Sequence, residues 1–248
     1  MSKLILCIAA FISLSLPSQA AEVSVAVAAN FAPPMQRIAA AFEQETGHKS
    51  ILSFGSTGSL YAQIRHGAPF EILLSADSQT PAKLESEGVG LTGSRFTYAV
   101  GRLVLWSKQP GFVDEKGQVL RVGKFDRLAI ANPKLAPYGA AAIQTLTQLG
   151  LLTSMESKLV QGENIAQAFQ FVATENAQLG WVALSQVMVE GKIAQGSAWI
   201  VPSKLHAPIA QDAILLIKGR DNPAALALMR YLQSDRVKAI IRSYGYTQ

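Results

Sequence analysis

Cysteine is almost missing from this chain: 248 residues contain one, Cys7. It lies within an apolar run, Leu4 to Leu16, that follows Lys3 and is broken by Pro17 ahead of the small-residue stretch Ser18-Gln19-Ala20-Ala21. A short apolar run between a positive charge and small residues has the form of a secretory signal peptide. It is expected over residues 1–20, with cleavage after Ala20 or Ala21. Cys7 comes too early, with apolar sequence continuing past it, to be a lipid-attachment cysteine. The mature chain then has no thiol, which excludes disulfides and cysteine-based metal sites. An exported chain without disulfides must be held by its own core. About 227 residues suffice, since chains of this size bury roughly 70% of their surface.

Long hydrophobic runs are also lacking beyond the leader, so nothing later in the sequence is apolar enough for a membrane-spanning helix. Charged residues are few, 16% of the chain, and the net charge of +5 falls to +4 without Lys3. The positive charges form no Lys/Arg block and do not interleave with aromatics, so nucleic-acid binding is unsupported. A mild positive excess helps attract an anion from a distance, but it is equally the ordinary solubility charge of a small protein. Internal repeats, low-complexity tracts and Gly/Ser linkers are absent too.

What the sequence does contain is apolar, β-branched runs alternating with helical patterns, the signature of parallel strands joined by crossover helices. The expected strands are 23–28, 50–54, 72–75, 103–106, 128–130, 159–161, 180–183, 199–201 and 213–217. Helices are expected over 34–45, 60–66, 81–87, 139–149, 165–173, 184–190, 223–233 and 235–244. The length favours two lobes.

In three places a strand pattern runs straight into a small or polar turn and then a helix. These are Ala28-Ala29-Asn30-Phe31-Ala32-Pro33-Pro34, Phe54-Gly55-Ser56-Thr57-Gly58-Ser59-Leu60 and Asn132-Pro133-Lys134-Leu135-Ala136-Pro137-Tyr138-Gly139. A weaker fourth is Gly162-Glu163-Asn164-Ile165. Helix amino termini carry unpaired N–H groups and a partial positive charge, so several converging on one cleft form an anion site. Taken singly, each turn is an ordinary helix cap.

These segments resemble the molybdate-binding proteins of bacterial ABC importers, which have the type II periplasmic binding fold. The resemblance covers essentially the whole mature chain. It is carried by Val25-Ala26-Val27-Ala28-Ala29-Asn30, by Phe54-Gly55-Ser56-Thr57-Gly58-Ser59-Leu60 and by Gly67-Ala68-Pro69 leading to Ser75-Ala76-Asp77. Further marks are Ala136-Pro137-Tyr138-Gly139, Leu179-Gly180-Trp181-Val182 and the ending Tyr244-Gly245-Tyr246. It implies an α/β fold of two lobes, each a mostly parallel sheet flanked by helices, joined by a two-segment hinge. Lobe I would comprise 21–98 and 211–248, and lobe II 99–210, with crossings near Tyr98–Arg102 and Pro208–Asp212. The protein would be a periplasmic monomer, without a cofactor or direct protein–metal ligands, that delivers molybdate or tungstate to the membrane permease of an ABC importer. By the same resemblance the oxyanion contacts fall on Ala29 and Asn30, on Ser56 and Thr57 with Thr57 the favoured hydroxyl, on Tyr138, and on the backbone N–H of Ile165. One departure stands out: some members place a tyrosine hydroxyl after the Leu-Gly-x-Val strand, where this chain has Ala183. Tyr138 is the candidate replacement donor.

The chemistry is consistent. Molybdate and tungstate are fully deprotonated tetrahedral dianions at neutral pH, so a matching site offers only donors. Phosphate keeps a proton and is best met by a buried carboxylate, and none lies inside the three main turns. Glu163 is expected to face solvent and Asp77 to tie the Ser75-Ala76-Asp77 corner. Sulfate is the closer rival, since it accepts the same donors and differs in size. From another class, a secreted hydrolase would use Ser56, Ser59 or Ser185, but the Gly55–Ser59 segment lacks nucleophile-elbow spacing. The histidines His48, His66 and His206 lie outside the turns, without metal-ligand spacing, and are expected at the surface. Trp106, Trp181 and Trp199 fall in strand patterns and are expected in the core, which leaves an organic ammonium ligand without aromatic partners other than Tyr138.

Overall fold

The computed structural model describes residues 20–122, 124–189 and 191–247; apart from Ala20, the expected signal peptide lies outside them. Among the described residues no helix is long and apolar enough to cross a membrane.

Two five-stranded sheets form the frame. The first is built from β1 (Glu22–Ala28), β2 (Lys49–Gly55), β3 (Ile72–Leu74), β4 (Phe96–Gly101) and β12 (Ile209–Leu215), in the order β2-β1-β3-β12-β4. The second contains β5 (Leu103–Ser107), β6 (Leu128–Ala131), β7 (Leu159–Gly162), β8 (Leu179–Ala183) and β11 (Ser197–Ile200), in the order β11-β5-β8-β6-β7. A small hairpin pairs β9 (Met188–Val189) with β10 (Lys192–Ile193).

Strand β1 runs parallel to β2 and β3, and β6 runs parallel to β7 and β8. Such pairs need a crossover connection, supplied by the helices Ala32–Thr46, Thr57–Arg65, Pro137–Gln148 and Ile165–Ala173. As expected, each sheet is mostly parallel: four of its five strands run the same way and one is reversed. Strand β12 returns from the second sheet and lies antiparallel to β3 and β4, while β5 lies antiparallel to β8 and β11. The reversal arises where the chain passes between sheets, because a strand arriving from the other lobe enters from the opposite end.

Burial explains why these segments became strands. Val23, Val25 and Val27 pack with Ile38 and Phe42 on one face of β1, while Ala26 packs with Leu60 and Ile64 on the other. Both faces are covered, which is why parallel strands read as continuous apolar runs rather than as alternation. Fully burying a side chain such as Phe42 contributes about 1.5–3 kcal/mol. A second cluster around Leu105, Ile130, Ala142, Trp181 and Val182 fills the other lobe. Ala28, Ala29 and Ala76 of the first lobe belong to that same cluster, so the lobes are in contact. Trp106, Trp181 and Trp199 are buried, as expected for core residues.

Three sequence expectations need correction. Strand β4 was absent from the expected strands, because its residues were read only as a crossing. The helix expected over 184–190 ends at Val187, since Met188 and Val189 extend to pair with Ile193 and Lys192. His48 is buried, not at the surface: its Nδ1 accepts a hydrogen bond from the Ala21 N–H at 3.2 Å, and its ring packs near Phe42.

Candidate functional site

Four helix amino termini meet where the sheets face each other, at the carboxyl ends of β1, β2, β6 and β7. Open α/β sheets place ligands at that end of their strands. Between them lies a narrow chamber with a cavity volume of about 10 Å³. The first lobe lines it with Ala28, Ala29, Asn30, Gly55, Ser56, Thr57 and Ala76; the second with Ala136, Pro137, Tyr138, Asn164 and Ile165. The structure thus brings together Ala29, Asn30, Ser56, Thr57, Tyr138 and Ile165. The space is smaller than the roughly 300–1,000 Å³ of organic-ligand pockets.

The available donors follow from the capping chemistry. First-turn N–H groups have no partner within their own helix. In the Ile165–Ala173 helix, Asn164 Oδ1 accepts those of Ala166 and Gln167 at 3.0 and 3.1 Å, which leaves that of Ile165. In the Thr57–Arg65 helix, the Ser59 N–H donates to Ser56 Oγ at 3.4 Å. The Gly58 N–H crosses the cleft to the Leu135 carbonyl at 2.9 Å, leaving that of Thr57. In the Pro137–Gln148 helix, Pro137 has no N–H, so the first available one is that of Tyr138. The turn Ala29–Phe31 supplies a fourth amino terminus, continued by the proline-started helix Ala32–Thr46. Two hydroxyls add to these. Thr57 Oγ1 accepts from the Ala76 N–H at 3.0 Å and Ser56 Oγ accepts from Ser59, so each keeps its proton for donation outward.

Among the described residues no acidic side chain lines the chamber. Asp77 Oδ1 accepts the Thr80 N–H at 2.8 Å and the Ser75 hydroxyl at 3.2 Å, tying the corner after β3. Glu163 is exposed. The surroundings therefore favour a proton-free anion over one that must donate.

The side chains of Asn30 and Tyr138 are held in a buried polar group beside the chamber. Asn30 Nδ2 donates to Gln211 Oε1 at 2.9 Å and to the Tyr246 hydroxyl at 3.0 Å. Gln211 Nε2 donates to the Tyr138 hydroxyl at 3.2 Å. The Tyr98 hydroxyl donates to Gln211 Oε1 at 3.0 Å or to the Ser75 carbonyl at 2.9 Å. Ser185 Oγ and the Tyr246 hydroxyl both reach the Asn30 carbonyl, at 2.7 and 2.9 Å. Burial raises the Tyr98 and Tyr138 hydroxyls well above their ordinary value and pushes Tyr246 up to about 12, so all three stay protonated at neutral pH. Sequence reasoning gave no role to the Gln211 side chain, and it weighed Ser185 only as a nucleophile and Tyr98 only as part of a crossing. The one signal was a polar pair, Gln211-Asp212, inside the apolar strand β12.

The serines weighed as nucleophiles are engaged otherwise: Ser56 caps a helix, Ser59 Oγ accepts from Gln63 Nε2 at 3.3 Å and Ser185 donates to the Asn30 carbonyl. Ala183, with no side-chain donor, ends β8, and its N–H donates to Gln186 Oε1 at 2.9 Å.

Two mixed sheets closing on a small, donor-lined chamber define a two-lobed solute-binding protein with its ligand between the lobes. Comparison with known proteins gives the particular family. The model of the bacterial extracellular solute-binding proteins matches residues 23–247, and the chain belongs to that family. It is 58% identical to the molybdate-binding protein ModA of Azotobacter vinelandii over 246 residues, covering 99% of this chain and 97% of that protein. To ModA of Rhodobacter capsulatus it is 50% identical, covering 96% and 93%. The solved structure of an Azotobacter vinelandii periplasmic molybdate-binding protein superimposes with a TM-score of 0.89 at 40% identity, covering 91% of this chain and 99% of that one.

Proposed function

We propose that this protein captures molybdate, and tungstate with it, in the periplasm and delivers it to the permease of an ABC importer. The observation that carries the proposal is a chamber of four helix amino termini with hydroxyls and no carboxylate. Identity above half to a molybdate-binding protein over nearly the whole chain supports the choice of oxyanion.

In this reading the backbone N–H groups of Asn30, Thr57, Tyr138 and Ile165 and the hydroxyls of Ser56 and Thr57 meet the four oxygens, with Ala29 shaping the wall. Tyr138, expected to offer its hydroxyl, offers its N–H instead, since that hydroxyl sits against Gln211 Nε2 at 3.2 Å. Charge-assisted hydrogen bonds contribute about 1.5–3 kcal/mol each, and helix dipoles offset the two negative charges without a counter-ion. The lobes divide at 98/99 and 210/211, within β4 and β12, so these paired strands carry the hinge. The protein works as a monomer, and the leader over residues 1–20 is removed on export.

A calorimetric titration with molybdate, tungstate, sulfate and phosphate tests the reading. Molybdate and tungstate should bind far more tightly than sulfate, with no heat from phosphate. Equal affinities for sulfate and molybdate would remove the assignment.

A further inference from the structure

Gln211 does not line the chamber, yet it touches both sides of it. It lies on β12, at the register shift between Gln211 and Asp212, and is fully buried. Its Oε1 faces Asn30 Nδ2 at 2.9 Å and the Tyr98 hydroxyl at 3.0 Å. Those donors fix the amide orientation, which turns Nε2 toward the Tyr138 hydroxyl at 3.2 Å. Asn30 belongs to a first-lobe turn of the chamber and Tyr138 to a second-lobe turn. Tyr98 lies on β4, which pairs with β12. One amide therefore joins two facing turns and two strands that lead between the sheets.

The packing around it is specific. A Cβ on Gly101, at the end of β4, would stand 2.1 Å from the Tyr138 hydroxyl and 2.6 Å from Gln211 Nε2. The space a side chain would fill at position 101 is the space the amide–hydroxyl pair occupies.

We propose that Gln211 is a positioning residue for oxyanion capture: through Asn30 and Tyr138 it sets the spacing of the two facing turns, so affinity depends on a side chain that never meets the ligand. This rests on the oxyanion reading above and goes beyond it. A dianion held by N–H groups from two lobes binds only when both sets stand at the right separation. A link between the turns therefore acts on affinity through geometry.

The test is a double-mutant cycle read by molybdate titration, with the thermal midpoint of each unliganded variant measured alongside. Gln211→Leu should weaken binding roughly 5- to 150-fold, the range of a coupling between sites. On a Tyr138→Phe background the same substitution should cost clearly less, because one of the two links is already cut. Gly101→Ala deletes no polar group and should also weaken binding by displacing the pair, which guards against a Gln211 variant that fails to fold. Gln211→Glu should recover affinity as pH falls, since a protonated carboxyl can donate to Tyr138 as the amide does. A Gln211→Leu protein with a lowered midpoint and an unchanged dissociation constant overturns the proposal, as do losses that simply multiply in the double variant. If the wild-type chain binds no molybdate at all, the functional reading itself fails and this proposal goes with it.

Discussion

The chamber and the polar group around Gln211 stand side by side and share Asn30 and Tyr138, yet they are built on opposite rules. In the chamber, first-turn N–H groups and two hydroxyl protons are left over after the caps have taken their share. Around Gln211, donors and acceptors are matched within the protein, among Asn30, Tyr98, Tyr138, Ser185, Gln211 and Tyr246. The contrast shows a division of labour between backbone and side chain. A dianion needs donors that cannot turn into acceptors, and an N–H held by a helix is such a donor. Side-chain amides and hydroxyls have both faces, which suits them to holding turns in place.

The harshest way to break this comparison is a substitution that strikes both regions. Asn30→Asp keeps the shape but removes the donor to Gln211 and adds a negative charge near the chamber. A carboxylate within about 4 Å of a dianion is repelled by up to roughly 8 kcal/mol at an effective dielectric near 20. Burial and the dianion both raise that carboxyl's pKa, so protonation should relieve the repulsion. Titration with molybdate should therefore find binding nearly abolished at pH 8 and partly restored at pH 5. Near-native affinity at pH 8 would show that the side chain at position 30 stands away from the bound anion, leaving the backbone N–H as that residue's one contact.

Alkaline pH separates the two regions. Tyr246 is pushed up to about 12 by burial, and Tyr98 and Tyr138 also lie well above the ordinary value of 10. An unfolded tyrosine loses its proton near pH 10 while the folded one keeps it. The associated stability is therefore complete below pH 10 and is lost as pH rises through about 12. At 1.36 kcal/mol per unit, Tyr246 alone accounts for roughly 3 kcal/mol. Thermal midpoints should fall steeply above pH 10, and Tyr246→Phe should flatten the fall. The molybdate dissociation constant should stay level from pH 7 to 9.5, because no titrating side chain serves the anion there. A constant that drifts over that range would show the chamber to depend on the tyrosines' ionisation.

The smallest expected effect falls on the contact across the cleft. A Cβ on Gly58 would meet Leu135 Cδ2 at 3.0 Å and Leu135 Cα at 3.1 Å, and the Gly58 N–H donates to the Leu135 carbonyl. Gly58→Ala should weaken molybdate binding by about 1 kcal/mol while raising helix stability by up to about 1 kcal/mol. Calorimetry and thermal melts should thus move in opposite directions. If both fall together, the alanine disturbs the first lobe itself rather than its approach to the second.

Much of this was legible because parallel strands buried on both faces leave unbroken apolar runs, as in Val25–Ala29, and because caps advertise helix starts, as Ser56 and Asn164 do. Strand β4 was not, since Phe96-Thr97-Tyr98-Ala99-Val100-Gly101 is only partly apolar and its partner β12 lies more than a hundred residues away. Asn30 and Tyr138 were singled out through a family resemblance. The partners of their side chains were invisible, because Gln211 and Tyr246 reach them through pairings of high sequence separation. No local pattern marks a polar side chain whose neighbours come from four other stretches of chain. His48 was misplaced for the same reason: the Ala21 N–H that satisfies it becomes its neighbour only when β1 pairs with β2.

The pairing of β4 with β12 also bears on how the molecule is assembled. Gly101 lies opposite Ile209, and their pairing closes the loop 102–208 between them. Every strand of the second sheet comes from inside that loop. The second lobe is thus an uninterrupted stretch that can fold as a unit, while the first stays incomplete until its last strand returns. Because closure entropy rises only logarithmically with loop length, a prefolded insert that brings its two ends together lowers the barrier to finishing the first sheet. The expected order is second lobe, then the β4–β12 seam, then the carboxy-terminal tail, whose Thr247 bridges to Val100 and seats Tyr246 against Asn30.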